Sequence, residues 1–208
     1  SMQHCYAMNC YISADRDSKL AETTTLSDVG GLVGLYENTM RWNGAMNTII
    51  DAPKHSNVGG VVGRLSQSLA NNHNIDGCFY LANYDEAVED EYFLNAANRY
   101  TAAAISDYYV KGYTNVGGIV GMQNSGYVYQ SYSNANVIAA DKQIAGGFVG
   151  MYCNEYSTSV SNGKTYITYA ITGMYNNYFA GNVTATDGYA GGAIGRTGLL
   201  YKGLGTDA

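Results

Sequence analysis

Apolar and polar residues alternate along this chain in short runs, and glycines interrupt the runs at recurring positions. VGGLVG at 29 to 34, VGGVVG at 58 to 63, VGGIVG at 116 to 121, AGGFVG at 145 to 150 and AGGAIG at 190 to 195 are copies of one box. Within a box, alternation predicts a short strand with Val29, Gly31 and Val33 on one face and Leu32 on the other. The fifth position is always β-branched: Val33, Val62, Val120, Val149 and Ile194. Such a column suits the interior of a stacked array, where rungs about 4.8 Å apart interdigitate with equivalent neighbours. The structural glycines of the boxes are Gly30, Gly31, Gly34, Gly59, Gly60, Gly63, Gly117, Gly118, Gly121, Gly146, Gly147, Gly150, Gly191, Gly192 and Gly195. They let the chain turn sharply or bring backbone close to an adjacent rung.

The box starts lie 29, 58, 29 and 45 residues apart, which predicts a period of about 29 with one box missing and one insertion. A weaker decapeptide recurs between boxes: MQHCYAMNCY at 2, TMRWNGAMNT at 39, IDGCFYLANY at 75, ISDYYVKGYT at 105, VYQSYSNANV at 128 and MYNNYFAGNV at 174. The copy at 39 fits poorly. The first and fifth positions are largely apolar or aromatic, and the ninth is Asn47, Asn83, Asn136 or Asn182 in four copies, as a tight turn would favour. Together the two motifs predict six approximate units, five with a box.

This two-part pattern resembles the bacterial GLUG motif, which reads roughly GGLVG, a spacer, then a segment like I-x-N-C-Y-S-x-G-N-V. VGGLVG, VGGIVG followed by VYQSYSNANV, and AGGAIG preceded by MYNNYFAGNV carry the likeness, which covers most of residues 1 to 200. The resemblance implies an all-β, right-handed parallel β-helix or β-solenoid. It also implies an extracellular bacterial surface protein, adhesin-like or the non-catalytic region of an immunoglobulin-A-cleaving peptidase. It transfers no catalytic residue. Residues 1–208 are expected to form one repeat domain, a fragment of a larger chain that continues into further domains.

Two stretches fall outside the repeat. DEAVEDEYFLNAANRYTAAA at 85 to 104 stands where a box is expected, and its helical spacing and Ala/Glu/Leu content predict a short helix or a degenerate rung with a bulging loop. Its acids suit a solvated face better than a calcium site. Residues 151 to 173 contain Asn162-Gly163 between two alternating arms, a strong β-hairpin signal because both turn positions need φ > 0. Such a loop is either a binding element or a surface decoration.

Composition agrees with strands: among 208 residues are 26 Gly, 21 Tyr and one Pro. A net charge of −6 and the lack of a basic stripe exclude nucleic acid as the natural partner. No apolar run is long enough to span a membrane as a helix. Cys5, Cys10, Cys78 and Cys153 read as free thiols acting as small hydrophobes. Cys5 and Cys78 stand two rungs apart, beyond disulfide reach, and no CxxC supports zinc. His4 next to Cys5 hints at a nucleophile with its base, but strand neighbours point to opposite faces. The Asp residues show no alignment of the kind a glycosidase needs. No catalytic group, metal or cofactor is expected. The tyrosine excess admits two readings: aromatics stacked against the core, or an exposed surface that binds a host glycan or an extracellular protein. For the second, Tyr109, Tyr129, Tyr132, Tyr166, Tyr169 and Tyr178 are the candidates. The expected role is therefore a non-catalytic structural or adhesion module, with ligand binding and an accessory region of a secreted peptidase as alternatives.

Overall fold

The structure is a computed structural model that describes residues 1–14, 27–66, 74–82 and 108–201. All regular elements among them are strands. The first rung holds β1 (Met2–Gln3), β2 (Tyr6–Met8), β3 (Tyr11–Ser13), β4 (Asp28–Gly30) and β5 (Val33–Tyr36). The second holds β6 (Met40–Arg41), β7 (Gly44–Met46), β8 (Ile49–Ala52), β9 (Asn57–Gly59) and β10 (Val62–Leu65). The third holds β11 (Asn74–Asp76), β12 (Phe79–Leu81), β13 (Tyr109–Gly112), β14 (Asn115–Gly117) and β15 (Val120–Gln123). The fourth holds β16 (Gly126–Tyr129), β17 (Tyr132–Ser133), β18 (Asn136–Ala139), β19 (Ile144–Gly146) and β20 (Val149–Ser161). After β21 (Lys164–Tyr169), the fifth holds β22 (Thr172–Tyr175), β23 (Tyr178–Phe179), β24 (Asn182–Ala185), β25 (Tyr189–Gly191) and β26 (Ile194–Tyr201).

Each rung gives one strand to each of five sheets, here sheets I to V, and every rung-to-rung pairing is parallel and in register. The chain is a parallel β-solenoid. The fifth box positions form one unbroken column, Val33, Val62, Val120, Val149 and Ile194. Five expectations change. The box is two strands meeting at a corner between sheets IV and V, not one strand. At that corner Leu32, Val61, Ile119 and Phe148 turn inward beside the fifth-position column instead of facing away from it.

No box is missing, because Val58 pairs directly with Val116 and Val62 with Val120. The 58-residue spacing is one rung whose chain leaves sheet II after β12 and re-enters sheet III at β13. The ISDYYVKGYT copy is therefore the continuation of the rung begun by IDGCFY, and the array has five rungs, not six units. The helix or bulging loop expected at 85 to 104, with its acids, lies outside the described residues. The poor copy at 39 is a register error of one residue, since Met40, not Thr39, pairs with Met2 and Ile75.

The interior is built from stacked apolar columns: Met40, Ile75 and Val128 from sheet I, Ile50, Val110 and Val137 from sheet III, Val58 and Val116 from sheet IV. All eight are fully buried. Each such side chain stabilises the fold by about 1.5–3 kcal/mol relative to exposure. Tyr80 lies inside with them, and its hydroxyl donates to the Thr48 carbonyl.

The glycine at the third box position is dictated by space rather than by backbone dihedral. A Cβ built on Gly31, Gly60, Gly118 or Gly147 would lie 2.0–2.2 Å from the carbonyl oxygen of the equivalent glycine one rung on. The backbones of successive rungs thus rest directly on one another at this corner, closer than any side chain permits.

Candidate functional surfaces

The corner between sheets I and II shows what the decapeptide does. Its third position, His4, Trp42, Gly77, Gln130 or Asn176, has φ of 51–60° in every rung. Of the four asparagines expected at a tight turn, Asn47 takes the positive φ of 46° and Asn83 lies outside the described residues, whereas Asn136 and Asn182 begin strands, with Asn182 Nδ2 donating to Asn136 Oδ1 at 2.8 Å. The fourth position, Cys5, Asn43, Cys78, Ser131 or Asn177, forms a polar ladder. Cys5 N donates to Asn43 Oδ1 at 2.7 Å, Cys78 N to Ser131 Oγ at 3.1 Å and Ser131 N to Asn177 Oδ1 at 3.1 Å. Asn43 lies against the Cys78 thiol through its backbone and side chain, which continues the column. The same side chains donate to carbonyls two residues back: Cys5 to Gln3, Asn43 to Arg41, Cys78 to Asp76 and Ser131 to Tyr129.

The reading of the thiols as buried small hydrophobes holds for Cys78 and Cys153, which lie in the core, and fails at Cys5 and Cys10. All four cysteines are free, but Cys5 is exposed and Cys10 half-buried, while Cys78 and Cys153 are buried. Burial pushes the Cys78 thiol up to about 11, and burial followed by the nearby Glu155 carboxylate pushes Cys153 to about 11. His4 and Cys5 occupy a corner, not a strand. His4 Nδ1 lies 3.4 Å from the Tyr6 hydroxyl while the Cys5 thiol faces the Gln3 carbonyl.

The outer faces of sheets I to III carry four of the six candidate tyrosines. On sheet I, Arg41 Nε lies 3.6 Å from Asp76 Oδ2, and the Tyr129 hydroxyl lies against both. Burial, then the Asp76 charge, raise Tyr129 above the ordinary phenol value, and Arg41 opposes them. On sheet II, Tyr132 and Tyr178 stack at 5.6 Å with rings 5° apart. One step along the same column Phe79 reaches over Gly44 to stack on Tyr6 at 5.9 Å. A Cβ added at Gly44 would stand 2.2 Å from the Phe79 ring, so a larger residue there must displace that ring. Each stack contributes about 0.5–1.5 kcal/mol. On sheet III, Asp51 accepts from Tyr11 Oη at 3.4 Å, sits 3.9 Å from Lys111 Nζ and, after burial, raises Tyr109. Trp42, half-exposed at the I–II corner, lies across Gly77 of the next rung.

Tyr166 and Tyr169 are elsewhere. The β20–β21 hairpin, with Asn162 and Gly163 both at positive φ, pairs Tyr156 with Tyr169 and Ser159 with Tyr166. All of β21 is exposed, and Tyr169 packs on Tyr156 at 5.9 Å. The hairpin root is anchored by buried polar groups: Asn124 Nδ2 donates to Glu155 Oε1 at 2.9 Å, Ala170 N to Glu155 O at 2.7 Å, and Thr172 Oγ1 to Asn154 Oδ1. The six tyrosines therefore belong to two surfaces rather than one.

Sequence reasoning overlooked Tyr6, Tyr11, Trp42, Arg41 and Asp51 as members of these faces. The signal was present in the positions of Met2 and Met40, which fix the register that brings them together. Among the described residues no three His, Cys, Asp or Glu side chains cluster closely enough to hold a metal ion. Asp28, Asp51 and Asp76 lie on sheets IV, III and I, each beside a cation of a neighbouring rung: Arg64 at 3.0 Å, Lys111 and Arg41. Asp15, Asp17 and Asp107 lie outside the described residues. No family model, curated protein or solved structure matches the chain.

Proposed function

We propose that this chain is a non-catalytic structural and adhesion module of a secreted or surface-anchored bacterial protein, as the GLUG-like repeat implies. The observation that carries the reading is the use made of polar groups. Corner amides, thiols and carboxamides are engaged by neighbouring rungs, and the three ion pairs Arg41–Asp76, Lys111–Asp51 and Arg64–Asp28 link one rung to the next on different sheets. They fasten the array instead of converging on a common reacting atom. Beads coated with the chain should adhere to surfaces bearing host glycans or extracellular proteins. Turnover of glycoside, ester or peptide substrates by the pure chain overturns the reading.

The aromatic outer face favours a second reading, direct recognition of a glycan or protein. Tyr6, Tyr11, Trp42 and Tyr175 are each about half-exposed on sheets I to III. Such rings offer contact area at little entropic expense. Trp42 is the sole tryptophan, so its fluorescence reports this face alone. A glycan array and titration should show binding that Tyr129→Ala and Tyr178→Ala weaken. Loss on substituting Tyr166 or Tyr169 instead assigns binding to the hairpin.

A further inference from the structure

We infer that Asn162 is a self-modification site, at which the backbone nitrogen of Gly163 displaces the side-chain amide and leaves a carboxylate at the hairpin tip. Asn-Gly occurs twice in the chain, at Asn43-Gly44 and Asn162-Gly163, and the fold treats the two pairs oppositely. Asn43 is fully buried; its Oδ1 accepts from Cys5 N at 2.7 Å and its Nδ2 donates to the Met2 and Arg41 carbonyls at 3.0 and 2.8 Å. The nitrogen that would attack is also tied, because Gly44 N donates to the Cys5 carbonyl at 3.2 Å. Asn162 and Gly163 carry none of these restraints. They are the exposed two-residue turn between β20 and β21, and nothing lies within 4 Å of a Cβ built on Gly163. Ring closure requires rotation about the Asn162 ψ, which a solvent-exposed turn with glycine at its second position permits.

The reaction is intramolecular and needs only water. Solvent base removes the Gly163 amide proton, the nitrogen bonds to Asn162 Cγ, and the Cγ–Nδ2 bond breaks. Ammonia leaves with a proton returned by solvent, and a cyclic imide remains. Water then opens either imide carbonyl without any change of oxidation state. Cleavage of the new bond yields aspartate. Cleavage of the original peptide bond yields isoaspartate, whose backbone runs through Cβ and Cγ and is one methylene longer. Both products place a negative charge next to Lys164, the single charged side chain of β21. The longer one also departs from the two-residue turn that sets the pairs Ser159–Tyr166 and Tyr156–Tyr169, so it changes how this hairpin presents its tyrosines.

Peptide mapping of the folded chain by mass spectrometry, after incubation at neutral and mildly alkaline pH, tests this. Asn162 should convert to aspartate and isoaspartate with release of ammonia, faster at the higher pH, while Asn43 in the same sample keeps its amide. In guanidinium the two should convert at comparable rates, because unfolding removes the hydrogen bonds that hold Asn43. Gly163→Ala, whose methyl group obstructs the attack, should slow conversion of Asn162 severalfold and leave Asn43 untouched. An Asn162 that stays intact in the folded chain while it converts in guanidinium overturns the proposal. So does an Asn43 that keeps pace with Asn162 in the folded chain, or a Gly163→Ala chain that converts as fast as the wild type.

Discussion

Replacing Gly60 by alanine drives a methyl group into the backbone of the next rung. The new Cβ would stand 2.0 Å from the Gly118 oxygen and 2.9 Å from Tyr80 Cδ2, against an ordinary contact that begins at 3.4 Å. Neither obstacle is the free end of a flexible chain: one is a carbonyl held in a ladder, the other the ring of a fully buried residue. Relief must come from parting rungs two and three. Three hydrogen bonds cross that corner, Gly60 N to Gly117 O at 3.0 Å, Val61 N to Ile119 O at 3.0 Å and Val62 N to Ile119 O at 2.9 Å. Weakening them sacrifices about 1 kcal/mol each, and displacing the packed columns of Val61, Val62, Ile119 and Val120 adds about 1–3 kcal/mol. The expected loss is about 4–6 kcal/mol, a large part of the stability typical of a domain. Urea unfolding followed by circular dichroism measures it. Gly163→Ala is the control: that glycine has φ +72° and open space around it, so its loss should be about 1 kcal/mol of backbone strain. If Gly60→Ala is destabilised by under about 1 kcal/mol, or no more than Gly163→Ala, direct backbone stacking is the wrong explanation of the box.

Because Cys78 and Cys153 are held protonated to about pH 11 while an unfolded thiol ionises near 9, the unfolded chain loses its protons first. Their contribution is complete below pH 9 and is lost as pH rises through 9 to 11. Urea midpoints should fall over that window, and Cys78→Ser, which places in the ladder the hydroxyl found at Ser131, should flatten the slope. Tyr80→Phe should destabilise by about 1–3 kcal/mol by leaving the Thr48 carbonyl without its donor, measured by thermal unfolding. Under native conditions a thiol reagent should modify Cys5 first and leave Cys78 and Cys153 untouched until the chain unfolds, as mass spectrometry of time points will show.

The glycine box was legible because its physics repeats: in four of the five copies the glycine at the third position faces the same carbonyl of the next rung, a place where only glycine fits. The corner between sheets I and II was not, because its left-handed position tolerates His4, Trp42, Gly77, Gln130 and Asn176 alike. Four of these residues carry exposed side chains of unlike chemistry, and Gly77 carries none. The next position did leave a trace, since Cys, Asn, Cys, Ser and Asn are all small and all hydrogen-bond, but only the correct register aligns them. That register was hidden by spacing. A rung here is defined by five strands rather than by a residue count, and the 27 residues between Leu81 and Tyr109 lengthen one rung without adding another. Asn162-Gly163 was readable because a two-residue hairpin turn is set locally. The Tyr132–Tyr178 stack joins residues of different rungs, and the face it occupies depends on that register.

The corner ladder gives the molecule a polarity. Asn43 and Asn177 each reach back to a carbonyl of the preceding rung, Met2 and Val128, while their oxygens receive that rung's amide. Each rung is thus latched by its successor. Both contacts of such a carboxamide are lost together when either of the two rungs it joins is lifted. Asn43→Ala and Asn177→Ala should therefore each loosen one interface and leave the others closed, which makes the corner column a row of separately removable fasteners.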